Sequence, residues 1–252
     1  MQDRNRSFLS SIPPVTLHLL IINVLMWLAT MAFQRAGMVD LNHWLGLHFW
    51  RGSNFHFYQF FTYMFMHGGL DHLFCNMFSL WMLGALLERV LGTKRYLLYY
   101  IVCGLGAGLA QELSWEFTWQ SLLASHVSGP AFDSVKDLIE AINSGHAAFT
   151  MDDFYNSMVT IGASGAVFGI LLAFGMLFPN MPLYIFFIPV PVKAKWFVLG
   201  YGILELFFGV TGTMSSLAHF AHLGGLVTGI FLILYWKRKG ILNNRYGFYR
   251  PI

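Results

Sequence analysis

Charge is scarce in this 252-residue chain: Asp, Glu, Lys and Arg together make up 11% of it, against about 25% in a soluble globular domain. So little charge cannot cover a surface facing water, which excludes an ordinary soluble enzyme. Cysteine is scarcer still, with Cys75 and Cys103 alone. They form no CxxC or Cys/His ligand spacing, so neither a disulfide framework nor a thiolate metal site is expected, and both read as buried small hydrophobes. Also missing are a repeat of fixed period, low-complexity stretches, and a basic surface with interleaved aromatics of the kind that binds nucleic acid.

What is present is apolar: 56% hydrophobic and 17% aromatic residues. Apolar runs over 15–33, 70–87, 96–113, 164–178, 194–210 and 217–236 are long enough, or nearly so, for a hydrocarbon layer about 30 Å thick. They predict an all-α membrane protein of six transmembrane helices. The first run is not expected to be a cleaved signal, because Pro13 and Pro14 precede it and no small-residue cleavage site follows. Lys and Arg then set the orientation. Arg4, Arg6, Arg89, Lys94, Arg95, Lys193, Lys195, Lys237, Arg238, Lys239, Arg245 and Arg250 fall on one side. Arg35, Arg51 and Lys136 fall on the other, with most of the acidic residues. Both termini are therefore expected in the cytoplasm, giving a cytoplasmic segment 1–14, a membrane domain 15–236 and a basic tail 237–252.

Two connections are long, 34–69 and 114–161, and both belong to the outer side. In the second, Val135, Leu138, Ile139 and Ile142 recur at helical spacing. That amphipathic segment fits the bilayer surface and packing on the loop equally well.

Three features carry chemistry. The run from Ser164 stops at Pro179, so its helix spans roughly 22 Å, too short for the hydrocarbon core. If its far end reaches the cytoplasmic interface, Ser164 lies within the membrane, at a helix N-terminus whose free amides suit an anion. A plain N-cap serine has the same appearance. Next, Gly165 and Gly169 are four apart, as are Gly225 and Gly229, a spacing that lets helix backbones meet closely in lipid. His222 lies three residues before Gly225, hence on the same face. A pair joined through these glycines would bring an imidazole to Ser164, and a serine hydroxyl needs such a base to become a nucleophile. Finally, His72 and Asn76 share one face of the second helix, as donors to an oxyanion or as interhelical glue.

Together these residues resemble the rhomboid intramembrane proteases. The resemblance rests on Gly162-Ala163-Ser164-Gly165 opening a helix, on His67 through Asn76, on Trp81-Met82-Leu83-Gly84 followed by Glu88 and Gly92, and on Ala221-His222-Leu223-Gly224-Gly225 continuing to Gly229. It implies a six-helix rhomboid bundle and a serine endopeptidase that cuts membrane-anchored protein substrates in or near their transmembrane segments. Ser164 would be the nucleophile and His222 the base, in a dyad without a carboxylate. His72, Asn76 and the Ser164 amide would form the oxyanion hole, with Phe168 packed on the His222 ring and Gly162, His67 and His219 in support. It implies no cofactor and no metal, a small residue before the cut, and a gate at the fifth helix and 209–216. A bacterial inner membrane is the expected location, the site opening outward. Two departures stand out: Tyr58-Gln59 occupy the place where many members carry Trp-Arg, and the 114–161 connection is long.

The remaining polar residues are read as structural. Glu88 is expected to hydrogen-bond at the cytoplasmic end of the second helix. Glu205, inside the fifth, is either a hydrogen-bonded carboxyl or part of a polar path, and His219 is a neighbour that orients or hydrates the site. A rhomboid-fold binder that does not cut would lack the serine or the histidine. A metal site from His67, His72, His219 and His222 would need a carboxylate partner, and the sequence suggests none.

Overall fold

The computed structural model describes residues 11–126, 134–184, 190–212 and 218–242. Arg4, Arg6, Arg245, Arg250 and part of the 209–216 gate lie outside the described residues. Helix α1 (Pro14–Arg35) opens with proline in its first turn, where a missing N–H is harmless. Its next amides are capped from another helix. The Glu88 carboxylate accepts the Val15 N–H at 3.0 Å, the Thr16 N–H at 2.8 Å and the Thr16 hydroxyl at 2.8 Å. An anion at a helix N-terminus satisfies orphan donors and complements the dipole, which is the structural role expected of Glu88.

Helix α2 (Leu70–Leu91) passes through a π-helical stretch at Leu80–Gly84 and ends at Gly92, whose φ of 77° is open to glycine. Helix α3 (Thr93–His126) follows. The two long connections hold α4 (Val135–Asn143), α5 (Met151–Ser157) and an antiparallel pair in which β1 (Leu47–His48) joins β2 (Val159–Thr160). Helix α6 (Ser164–Leu177) comes next. A second short pair, β3 (Pro182–Leu183) with β4 (Val192–Lys193), then leads to α7 (Ala194–Thr211) and α8 (His219–Arg238). Among the described residues, α1, α2, α3, α7 and α8 are long and apolar enough to cross a membrane, while α6 has 14 residues.

The short helix is the axis of the bundle. Ser164 and Met176 excepted, every residue of α6 is buried, as befits a helix that is apolar all round. Its neighbours are α3 and α8, and the approach to α8 is backbone on backbone. A Cβ at Gly225 would collide with the Gly165 carbonyl oxygen, and one at Gly169 would come within 2.6 Å of the Cys103 sulfur. The Tyr99 hydroxyl of α3 donates to the Gly169 carbonyl at 2.8 Å, tying the third helix to the same seam. Tyr63, Tyr96, Tyr100 and Phe174 fill the surrounding core.

The structure departs from expectation in two places. Helix α3 runs past residue 113 to His126, because Glu112 and Glu116 find partners there. Glu112 accepts the Trp50 N–H at 2.9 Å, and Glu116 accepts the Trp50 indole N–H at 2.8 Å and pairs with Arg51. Cys75 is exposed, unlike the buried Cys103, since its side of α2 faces a cavity. The amphipathic segment forms α4, and Leu138 and Ile142 join a second core with Phe49, Trp115, Leu123 and Phe154. It therefore packs on the outer loops. Asp152 clamps those loops together by accepting the Ser53 N–H and hydroxyl, which hold its carboxyl below the usual range. Gln59 seats the first loop: its side chain accepts from His56 at 3.0 Å and donates to the Asn54 carbonyl at 2.9 Å.

Two substitutions test this packing. Gly225→Ala is expected to destabilise the bundle by about 3 kcal/mol, because neither backbone at the seam can yield. Glu88→Ala should lower stability by roughly 2 kcal/mol through the unsatisfied first turn of α1. Thermal unfolding of each variant in detergent against wild type checks both.

Candidate active site

Ser164 stands at the start of α6, and the chain reaches it through a bend that needs glycine. Gly162 has a φ of 130°, a conformation that side chains rarely adopt, and a Cβ there would lie 2.7 Å from His72 Nε2. Its amide donates to the Tyr63 carbonyl at 2.9 Å, and the Tyr63 hydroxyl donates to the Gly104 carbonyl at 2.6 Å. The irregular backbone above Ser164 is thus buried in protein and partnered, the condition for such backbone at membrane depth. No side chain caps the first turn of α6, so its amides are left for an incoming group.

The Ser164 hydroxyl oxygen lies 2.8 Å from His222 Nε2. This contact spans α6 and α8 directly above the Gly165–Gly225 seam. Phe168, one turn below Ser164, stacks on the His222 imidazole with ring centres 4.1 Å apart and planes 7° apart. Tyr201 of α7 stacks on the other face of Phe168 at 5.1 Å, and Phe197 on Tyr201 at 5.8 Å. A column of four rings therefore fixes the imidazole plane from three helices.

A cavity of about 640 Å³ opens over the pair, lined by His72, Cys75, Gln111, Trp115, Ile161, Ser164 and His222 among others. The structure brings His72 to this cavity with Ser164 and His222. Asn76 is buried one turn further on, where its amide lies 3.2 Å from His67 Nε2. Burial, with the His72 ring beside it, lowers the His67 imidazole to about 3, so it is neutral and Nε2 can accept an amide proton. His67 is thereby placed to hold Asn76.

His219 is buried, and its Nδ1 lies 2.6 Å from Glu205 Oε2. The same oxygen is 3.1 Å from His222 Nδ1. The sequence suggests no carboxylate beside the histidines, yet Glu205 reaches the site from α7. An acidic residue inside an apolar helix was the available signal. Glu205, His219 and His222 place ligand-type atoms within 4.8 Å of one another, a spacing open to a metal ion. The bond to His219 and the approach to His222 account for the carboxylate without one.

Comparisons with known proteins agree with this architecture. The Rhomboid domain matches residues 54–239, a stretch running from the first outer loop through α8. RHOMBOID-like protein 4 of Arabidopsis thaliana is 28% identical over 188 residues, covering 72% of this chain and 35% of that protein. Rhomboid-like protein 11, chloroplastic, of the same plant is 26% identical over 236 residues, covering 85% and 62%. Rhomboid protease GlpG of Pectobacterium atrosepticum is 24% identical over 232 residues, covering 92% and 66%. The chain spans between about a third and two-thirds of the length of these relatives. With its apolar helices grouped around a short central one and the domain match across nearly three-quarters of its length, the chain is an integral membrane protein that belongs to the rhomboid family.

Proposed function

We propose that this protein is an intramembrane serine endopeptidase acting on membrane-anchored protein substrates, with Ser164 as nucleophile and His222 as general base. The observation that carries the reading is the 2.8 Å approach of Ser164 Oγ to His222 Nε2. Both residues line a cavity to which Asp71, His72, Gln111 and Thr160 bring polar side chains within an otherwise apolar bundle. Family membership and the resemblance to a rhomboid protease support the reaction class.

The chemistry follows from the geometry. With its proton on Nδ1, the imidazole presents a bare Nε2 to the Ser164 hydroxyl, which donates to it. As Oγ attacks the scissile carbonyl, its proton passes to Nε2 and charge develops on the carbonyl oxygen. The Ser164 amide, the N-terminal dipole of α6 and the His72 side chain stabilise that charge. Asn76 gives one amide proton towards His67 and has a second to offer the same oxyanion. The imidazolium then protonates the leaving amine, and a water attacks the acyl-enzyme with His222 again as base.

A substrate helix would reach the cavity sideways past α7, the fifth of the six expected spans. Of its residues, Ala194, Val198 and Glu205 alone are buried, so few contacts hold it. A small residue before the cut fits the restricted space beside Gly162 and His72. The charge asymmetry supports a cytoplasmic 1–14 segment, a membrane domain 15–236 and a cytoplasmic tail 237–252, with the site opening to the outer side. Arg89 and Lys237, hydrogen-bonded to Ser11 and Met176, belong to the end that this orientation assigns to the cytoplasm. A bacterial relative supports a bacterial inner membrane, while others are chloroplastic and mitochondrial.

Purified protein in detergent is expected to cleave a generic transmembrane substrate, and Ser164→Ala is expected to abolish cleavage. His72→Ala should lower kcat by about 10²–10³-fold, the loss typical of one oxyanion donor. Wild-type turnover by Ser164→Ala would refute the assignment.

A further inference from the structure

A dyad leaves one atom of the site without a partner. For Nε2 to take the Ser164 proton, the imidazole must carry its own proton on Nδ1. Yet His222 Nδ1 is buried and makes no hydrogen bond. The nearest carboxylate oxygen, Glu205 Oε2, is 3.1 Å away but off the line of the N–H. Phe168 stacks on one ring face, and His72 and Ser164 lie on the cavity side. Glu205 is therefore the acceptor that a small change in ring or helix position would bring into line. Catalytic hydrogen bonds are often poorly aligned in a resting site and tighten around substrate.

The carboxylate is itself anchored. Oε2 is 2.6 Å from His219 Nδ1, and one carboxylate oxygen can accept two N–H groups. His219 and His222 are one turn apart on α8, so both rings converge on the same oxygen. Burying Glu205 at 5% exposure in an apolar bundle is expensive unless donors meet it, and these imidazoles are the donors present. The arrangement also joins three helices: Ser164 is on α6, His222 on α8 and Glu205 on α7. The column of Phe197, Tyr201, Phe168 and His222 rings runs across the same three.

We propose that Glu205 is a positioning residue that completes a Ser164–His222–Glu205 relay, holding the His222 proton on Nδ1 when α7 lies closed against α8. Movement of α7 to admit a substrate withdraws the carboxylate, and its return restores the base. Access and activation are thereby coupled, so the nucleophile is fully armed only when the site is shut. His219 keeps Oε2 in place during the exchange. The proposal rests on the Ser164–His222 reading above and adds a third member to it.

The experiment compares wild type, Ser164→Ala, Glu205→Gln and Glu205→Asp in detergent. It measures kcat and KM on a transmembrane substrate, the rate of labelling by a small fluorophosphonate, and thermal unfolding. Glu205→Gln is expected to lower kcat and the labelling rate by roughly 10²-fold with KM within about twofold, short of the ~10⁴-fold seen for an in-line aspartate. Glu205→Asp, which keeps the charge, should label faster than Glu205→Gln. A packing role gives the reverse order, because Gln preserves the shape of Glu. A wild-type labelling rate in Glu205→Gln, or a change confined to KM, overturns the proposal while leaving the dyad intact. Cleavage by Ser164→Ala overturns the underlying reading instead. If Glu205→Gln does not fold, the ¹⁵N–¹H signals of the His222 ring in wild-type protein, assigned by their loss in His222→Ala, decide the matter. An Nδ1–H proton resonance shifted downfield by a hydrogen bond to the carboxylate supports the relay, and an Nδ1–H without that shift contradicts it while leaving the dyad intact.

Discussion

The contact between the Gly165 and Gly225 backbones is the constraint on which the rest of the molecule depends. In lipid no hydrophobic force drives helices together, so close packing of small residues must do so. Here a single methyl group at Gly225 would strike the carbonyl of Gly165. That closeness puts α6 and α8 in register and leaves Ser164, next to Gly165, and His222, one turn before Gly225, within hydrogen-bond distance. Everything else positions or protects this pair. Tyr99 ties α3 to the seam, Gly162 brings the chain down to Ser164, and Phe168 sets the plane of the imidazole.

Burial is uneven across the bundle. Helix α6 is sheathed in protein, and α1 is fastened to α2 through Glu88. The outer loops have their own small core and are clamped by Arg51–Glu116 and Ser53–Asp152. By contrast, α7 buries few residues, and its inward attachments include an aromatic stack, the Glu205–His219 bond and the packing of Val198 and Ala194 in the core. Elements that move are drawn from those with few buried contacts. The proposed gate on α7 accords with that rule and would tie its motion to the proposed chemistry through the same side chains.

Much of this was legible in the sequence because it depends on local spacing. A run cut short by Pro179 marks α6, glycines four apart mark the seam, and His222 three residues before Gly225 shares its face. The structure places Ser164, His222 and His72 at one cavity. What was not legible depends on contacts between distant segments. Polar Glu112 and Glu116 look like the end of a span, until Trp50 and Arg51 are brought beside them and α3 continues. Gln59 reads as a departure from the family, until its amide is seen satisfying loop carbonyls and amides. Glu205 and His222 are on different helices, and nothing in either helix alone shows that they meet. Asn76 shares the face of His72, but its amide is turned towards His67, a choice made by burial and not by helical period.

The central claim is that Ser164 is activated by His222. The most direct measurement is peptide mapping of the adduct formed when the protein in detergent reacts with a fluorophosphonate, in wild type and in His222→Ala. The account predicts a single adduct, on Ser164, that is lost when His222 is replaced. An adduct on another residue, or labelling of Ser164 at the wild-type rate without His222, would contradict it.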